Sequence, residues 1–137
     1  MSDAESIIKE LNLKPHPEGG YFAESFRDED NKVSLIYYLL KKNQRSHWHR
    51  LTKNEILHFY EGHSLNVHIS IDGKTSNTKI LGNNIDCNEA VHLVVKAGSW
   101  FSMTSSGDYS LIGCTVAPGF NYADLELAPK NWEPGRK

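Results

Sequence analysis

Most of this chain alternates apolar and polar residues with the two-residue period of a β-strand. From His63 to Ile71, four apolar side chains alternate with polar ones. Asp72-Gly73 follows at once and is typical of a tight hairpin turn. A continuous apolar run at 33–40 is typical of a strand that is buried on both faces. Further strands are predicted at 20–27, 75–81, 91–96, 100–104 and 109–116.

A helical period occurs only near the N-terminus. Apolar residues from Ala4 to Leu11 recur at the spacing of one helix face, which predicts a helix over about residues 2–11. One helix followed by eight to ten short strands predicts an all-β fold, that is, a sandwich, jelly roll or barrel.

The domain organisation predicted from this pattern is simple. A chain of 137 residues with no internal repeat or linker predicts one domain over 1–137. Its barrel is expected at about 18–120, and a C-terminal surface arm at about 121–137.

The composition argues against several kinds of partner. The net charge is −2 and no basic block occurs, so nucleic acid and membrane surfaces are not expected partners. The acidic N-terminus lacks the layout of a signal peptide. Cys87 and Cys114 form no CxxC pattern, and we expect free thiols in the cytoplasm.

His47 and His49, separated by Trp48, are the strongest candidates for chemistry. Two histidines two positions apart on a strand point to the same side, and Glu55 follows across a short turn. Two imidazoles and one carboxylate are ligands for divalent Fe, Mn, Ni or Zn. A solvated strand end explains the same residues without a metal. By strand alternation, His58 is expected on the opposite face from Glu55, in a structural or interface role.

The chain resembles the cupin superfamily, in particular the small single-domain cupins of uncharacterised function, cupin family five. The resemblance runs from about residue 4 to residue 128. Its motifs are His16–Phe22, Ser34–Leu40, His47-Trp48-His49-Arg50, Glu55–His58, Trp100-Phe101 and Gly113–Phe120.

The resemblance implies an RmlC-like jelly-roll barrel (a double-stranded β-helix) with a ligand pocket inside, usually built as a homodimer. In cupins the metal is usually held by three histidines and one glutamate. Here Phe101 stands where the last histidine is expected, which leaves His47, His49 and Glu55. The gap from the second histidine to Glu55 is also longer than usual.

Other residues are candidates for the pocket. Phe59, Trp100 and Phe101 favour a flat or apolar ligand, although core packing explains them equally well. Glu24 and Arg27 are candidates for binding a polar group, or they form a surface ion pair. His16, before Pro17, is expected to be a rigid-turn residue.

The sequence leaves three functions open. The first is a metal-dependent oxygenase or isomerase that uses His47, His49 and Glu55. The second is a metal-free, epimerase-like enzyme acting on a nucleotide-sugar or related carbohydrate, with His49 as general base and Tyr38 as acid. The third is a ligand-binding module without turnover. The sequence names no substrate.

Overall fold

The computed structural model describes residues 3–136, which form one α-helix and eleven strands in two antiparallel sheets. The elements are α1 (Ala4–Glu10), β1 (Lys14–Pro15), β2 (Tyr21–Arg27), β3 (Ser34–Lys41), β4 (Arg45–Leu51), β5 (Glu55–Gly62), β6 (Leu65–Ser70), β7 (Asn77–Leu81), β8 (His92–Val95), β9 (Trp100–Ser105), β10 (Tyr109–Val116) and β11 (Leu125–Leu127). Short 3-10 turns lie at Ile85–Cys87 and Tyr122–Asp124.

The two sheets have the arrangement of a jelly roll. One sheet has the strand order β1-β2-β3-β10-β5-β8, and the other has the order β11-β4-β9-β6-β7. Neighbours such as β3 and β10 are far apart in sequence, as the crossovers of a jelly roll require. The predicted all-β barrel is therefore confirmed.

The main core lies between the two sheets, because alternate residues of each strand point inward. Leu57 of β5, Val67 of β6, and Phe101 and Met103 of β9 are buried there with Ile112 of β10. Their burial in a common layer provides the main apolar contribution to stability.

The N-terminal helix covers the outer side of one sheet. Asp3 caps it by accepting a hydrogen bond from the Ser6 backbone nitrogen at 2.8 Å. Ile7 packs with Leu39 and Tyr109 in a second apolar cluster. The helix was expected over about 2–11, of which residue 2 lies outside the described residues. No helix within 3–136 is long and apolar enough to cross a bilayer.

Strand β4 contains a bulge that changes which way its histidines point. Ser46 pairs with Met103 and His49 pairs with Phe101, so two residues of β4 lie opposite one residue of β9. The extra residue breaks the two-residue alternation. His49 faces the barrel interior, whereas His47 and Trp48 face the C-terminal segment.

The C-terminal segment folds back onto the barrel. Strand β11 pairs with β4, and the Ala128 backbone nitrogen donates to the Trp48 carbonyl oxygen at 3.0 Å. Trp132 then packs against Trp48 and Trp100. The part of the chain predicted as a surface arm is therefore anchored on the sheet that contains β4.

Candidate functional site

A cavity of about 380 Å³ opens between the two sheets, with polar groups at its inner end and mostly apolar walls. The size suits a small organic molecule. Its lining comprises His16, Glu18, Phe22, Glu24, Arg27, Ser34, Ile36, His49, Leu51, Glu55, Cys114, Val116, Phe120, Asn121, Tyr122 and Leu125.

A tight turn before β2 brings Glu18 into the cavity. The His16 backbone nitrogen donates to the Gly20 carbonyl oxygen at 2.9 Å, which closes the turn. Gly19 has a φ of +112°, and a Cβ there would lie 2.2 Å from the Arg45 carbonyl oxygen. Only glycine fits this backbone. The buried Tyr38 hydroxyl donates to the Gly19 carbonyl oxygen and fixes the turn.

Glu18 and His49 form a buried ion pair. Glu18 Oε2 lies 3.0 Å from His49 Nε2, and both side chains are more than nine-tenths buried. Glu18 Oε1 accepts a hydrogen bond from Ser46 Oγ at 3.1 Å. His49 Nδ1 donates to the His47 carbonyl oxygen at 2.7 Å. Each ring nitrogen and each carboxylate oxygen of the pair therefore has a partner.

For both residues of this pair, the contacts with the partner and its neighbours together shift the pKa by more than burial does. Burial alone lowers the pKa of His49, but the charge of Glu18 and its hydrogen bond raise that pKa to about 9. Burial alone raises the pKa of Glu18, but His49 lowers it below its ordinary value. At neutral pH the site therefore contains an imidazolium and a carboxylate whose charges cancel.

Glu55, at the start of β5, is the second buried carboxyl group in the cavity. Burial raises its pKa, and repulsion from Glu18 raises it further, to about 7. The charge of His49 and a hydrogen bond with Cys114 act in the opposite direction. Glu55 therefore exchanges its proton near neutral pH, whereas Glu18 stays ionised.

His16 contributes a neutral imidazole. Its Nδ1 accepts a hydrogen bond from the Glu18 backbone nitrogen at 3.1 Å. Burial lowers the pKa of His16, with His49 adding to that effect and Glu18 opposing it. Since Nδ1 accepts, the neutral ring carries its hydrogen on Nε2. His16 thus provides an uncharged hydrogen-bond donor at the cavity.

Arg27 connects residues at the mouth of the cavity through hydrogen bonds. Its guanidinium bonds Glu24 Oε1 at 2.6 Å and donates to the Phe120 carbonyl oxygen at 2.9 Å. Lys53 reaches the same loop, donating to the Gly119 carbonyl oxygen at 2.8 Å. Glu24 and Arg27 both line the cavity and form an ion pair at its rim.

The three predicted metal ligands are not brought together. His49 and Glu55 line the cavity, but the bulge in β4 turns His47 away. His47 Nε2 bonds the carbonyl oxygens of Ala128 at 3.2 Å and Pro129 at 3.1 Å. The expectation that both histidines share a face, which assumed regular alternation, is corrected by the bulge.

The donor set does not fit a metal ion in this arrangement. No three His, Cys, Asp or Glu side chains within residues 3–136 are placed to bind one metal ion. A metal-bound imidazole must present a free, unprotonated nitrogen. Both nitrogens of His49 are instead hydrogen-bonded, one to Glu18 and one to the His47 carbonyl oxygen.

None of the other predicted pocket and catalytic residues lines the cavity, because three pack in the main core and Trp100 faces away from it. Phe101 is buried, with its ring 4.1 Å from the ring of His49. Phe59 packs against the main core. Trp100 lies on the outer side, under the Arg50 guanidinium. The hydroxyl of Tyr38 bonds the turn at Gly19, and burial raises its pKa well above the ordinary value.

His58 points away from the cavity, as alternation predicted. Its Nε2 bonds Thr115 Oγ1 at 2.9 Å, and its ring stacks on Tyr60.

Sequence reasoning missed Glu18 as a site residue and took His16 only as a turn residue. The available signal was His16-Pro17-Glu18-Gly19-Gly20, in which two chemically active side chains flank a proline before a double glycine. Binding and catalytic residues often lie on loops that a rigid scaffold positions. The partner of Glu18 lies 31 positions further along the chain, and pattern reading does not reveal that pairing.

Comparison with known families and structures gives a consistent result. The sequence profile described as "Cupin superfamily (DUF985)" matches residues 5–128. A crystal structure of a protein from Shewanella oneidensis is 36% identical, with a TM-score of 0.87, over 93% of this chain and 85% of that one. A hypothetical protein from Leishmania major is 28% identical, with a TM-score of 0.86, over 96% of this chain and 90% of that one.

More distant similarity extends to an enzyme. Oxalate decarboxylase from Bacillus subtilis is 16% identical, with a TM-score of 0.68, over 88% of this chain and 31% of that one. At this identity the likeness concerns the fold alone. No curated protein matches the chain significantly.

Proposed function

Because this chain belongs to the cupin superfamily, in the family described as DUF985, and encloses a cavity with a proton-exchanging carboxyl group, we propose that it is a metal-independent enzyme for a small carbonyl compound. Its reaction is the transfer of a proton to and from a carbon atom. The single observation that carries this proposal is Glu55, whose pKa burial and Glu18 raise to about 7.

Glu55 is the acid–base group of the proposed reaction. A general base is most effective when its pKa is close to the working pH. The Glu55 carboxylate takes a proton from the carbon next to the substrate carbonyl, and the electron pair moves onto the carbonyl oxygen. In an α-hydroxy carbonyl compound, the hydroxyl proton then moves to the former carbonyl oxygen, and the Glu55 carboxyl group returns its proton to the former carbonyl carbon. The result is an isomerisation between an aldose and a ketose.

His16 and the Glu18–His49 pair support that step. The His16 Nε2 hydrogen is a donor for the oxygen on which negative charge develops, as in other sites that stabilise an oxyanion. The ion pair has zero net charge and all its polar atoms satisfied, so it holds the inner end of the cavity rigid. The apolar walls at Phe22, Ile36 and Val116 exclude water from the reacting carbon.

Deuterium uptake from heavy water tests the proposal. The protein is incubated in D₂O with a panel of aldoses, ketoses, α-keto acids and nucleotide-sugars, and substrate mass is followed. We expect a panel member to gain deuterium at carbon, and Glu55→Gln to slow that exchange roughly 100-fold or more. Glu61→Gln, on the same strand but outside the cavity, is the matched control and keeps the wild-type rate.

Two results would overturn the proposal. One is wild-type exchange no faster than that of Glu55→Gln across the whole panel. The other is a stoichiometric transition metal in the purified protein whose removal abolishes exchange. The second result favours the metal-dependent oxygenase or isomerase, with Fe, Mn, Ni or Zn, that the sequence suggested.

The expected homodimer and cytoplasmic location are further proposals. The family resemblance supports the first, and the free thiols Cys87 and Cys114 support the second. Light scattering on the eluted protein measures the mass directly, and a mass of one chain of 15.5 kDa contradicts the dimer.

A further inference from the structure

A second and separate cavity lies on the outer side of β4. It is an open groove of about 770 Å³ between the C-terminal segment and the sheet that contains β4 and β6. The bulge in β4 creates it by turning His47 and Trp48 outward, while His49 faces the first cavity. No residue of the described range 3–136 lines both the groove and the first cavity.

The walls of the groove are positively charged, in a protein of net charge −2. Arg45, Lys130 and Arg136 line it and are exposed. Among residues 3–136, Glu133 is the one carboxylate in the lining, and it bonds Arg136 at 3.1 Å. Arg45 donates to the neutral Ser102 hydroxyl, so its charge is not cancelled. The groove therefore carries a local excess of positive charge.

The base of the groove is aromatic. Trp48 and Trp132 meet edge to face at 6.0 Å, and the His68 ring lies 6.4 Å from that of Trp48. Burial lowers the pKa of His68, and Arg45 lowers it further. His68 therefore stays a neutral ring at pH 7. His47, fixed by its bonds to the Ala128 and Pro129 carbonyl oxygens, completes the aromatic surface.

We propose that this groove binds a nucleoside phosphate. Guanidinium and ammonium groups bind phosphate oxygens through charge-assisted hydrogen bonds. Trp48 itself is 7% exposed, so the half-buried rings of Trp132, His47 and His68 offer the flat surfaces on which a nucleobase stacks. A groove that combines cations at its rim with rings at its base matches both parts of such a ligand. This binding is separate from the proton transfer proposed for the first cavity.

Tryptophan fluorescence is a direct measurement of this binding. All three tryptophans of the chain belong to this cluster, since Trp100 packs 4.8 Å from Trp132. AMP, ADP, adenosine and inorganic pyrophosphate are titrated at constant ionic strength, with excitation at 295 nm and calorimetry in parallel. We expect AMP and ADP to change the fluorescence saturably, and to bind about tenfold or more tightly than adenosine or pyrophosphate.

Charge-matched variants test the assignment to the groove. Arg45→Ala combined with Lys130→Ala is expected to weaken ADP binding at least about tenfold. Lys9→Ala combined with Lys14→Ala removes the same charge from exposed sites outside the groove and leaves binding unchanged. Chemical-shift mapping needs no variant, and ADP is expected to shift the indole signals of Trp48 and Trp132.

Three outcomes would overturn the proposal. The first is no saturable binding of AMP or ADP. The second is that pyrophosphate binds as tightly as ADP, since the groove is then a general anion site. The third is ADP shifting the amide signals of Cys114 and Val116 in place of the indoles, which assigns binding to the first cavity. Deuterium uptake by a substrate of the first cavity does not depend on any of these three results. Each of the two proposals can therefore be overturned without the other.

Discussion

Glu55 is the residue whose chemistry depends most on its surroundings. An exposed glutamate is ionised at neutral pH, whereas burial and the charge of Glu18 raise the pKa of Glu55 to about 7. Glu18 is also a buried glutamate, but its pKa is lowered because His49 carries the opposite charge and donates a hydrogen bond to it. Two glutamates facing one cavity are thus expected to differ in protonation, as two carboxyl groups with separate acid and base roles do.

The titration of Glu55 is the first prediction. Side-chain ¹³C signals of the glutamates, followed from pH 3 to pH 9, are expected to show one carboxyl group that titrates near pH 7. Glu55→Gln removes that signal change, because the amide does not titrate. Glu61→Gln is the control and leaves it in place. A titration of Glu55 near pH 4 contradicts both this prediction and the proposed role as a base.

The Glu18–His49 pair connects two elements, the turn before β2 and strand β4. Since both partners are buried, replacing only one leaves the other without its counter-charge. We expect Glu18→Gln or His49→Gln to lower the free energy of unfolding by about 3–5 kcal/mol. The double variant is expected to lose less than the sum of the two single losses, because it leaves no unpaired charge.

Urea unfolding at pH 7 measures this double-mutant cycle. The exposed pair Arg50–Glu126, which links β4 to β11 at 2.8 Å, is the matched comparison. Its single alanine variants are expected to cost at most about 1 kcal/mol. Additive losses in the Glu18–His49 cycle contradict the assigned coupling.

The bulge in β4 leads to the third prediction. His47 faces the C-terminal segment, so His47→Ala is expected to leave the metal content of the protein unchanged after incubation with Zn²⁺, Mn²⁺, Fe²⁺ or Ni²⁺ and dialysis. Elemental analysis of the wild type and the variant makes the comparison. A stoichiometric metal in the wild type that His47→Ala removes shows that both histidines bind it, and that β4 is regular in solution.

The sequence was sufficient for elements whose signal is local. Strand β10 was predicted with its observed bounds, because its residues have the apolar and β-branched pattern of a strand and turn residues flank it. The bulge was not predictable, since it arises from the pairing of β4 with β9 rather than from any residue in β4. As a result the structure places His49 and Glu55 at one cavity, whereas His47 lies outside it.

The other features that the sequence did not predict, Glu18 and the groove, depend on long-range contacts. Glu18 lies in a turn, and its role depends on His49 in another sheet. The groove depends on the same kind of contact, because Trp132 comes from a tail segment with no strand pattern of its own. Residue patterns report which face of a local element is buried, but not which distant side chain it meets.

At the scale of the whole molecule, the buried ionisable groups determine how stability varies with pH above neutrality. The pKa of His49 is raised from 6.5 to about 9 in the folded state. The folded state therefore binds a proton more tightly than the unfolded chain, and this stabilisation is lost as pH rises from about 6.5 to about 9. The pKa of Glu55 is raised from 4.5 to about 7, so Glu55 also contributes stability that is lost as the pH rises. That loss is complete just above pH 7.

The histidines with lowered pKa values do not offset this loss. Burial lowers the pKa values of His16, His58 and His68, so their effect on stability is complete below about pH 6.5. We therefore expect the free energy of unfolding, measured in urea, to fall by roughly 3 kcal/mol between pH 6.5 and pH 9. His49→Gln, although less stable at pH 6.5, is expected to lose most of that slope, whereas His63→Gln, at an exposed site, keeps it. A wild-type stability that stays constant over this range contradicts the ion pair, since an unpaired, neutral His49 has no proton to lose there.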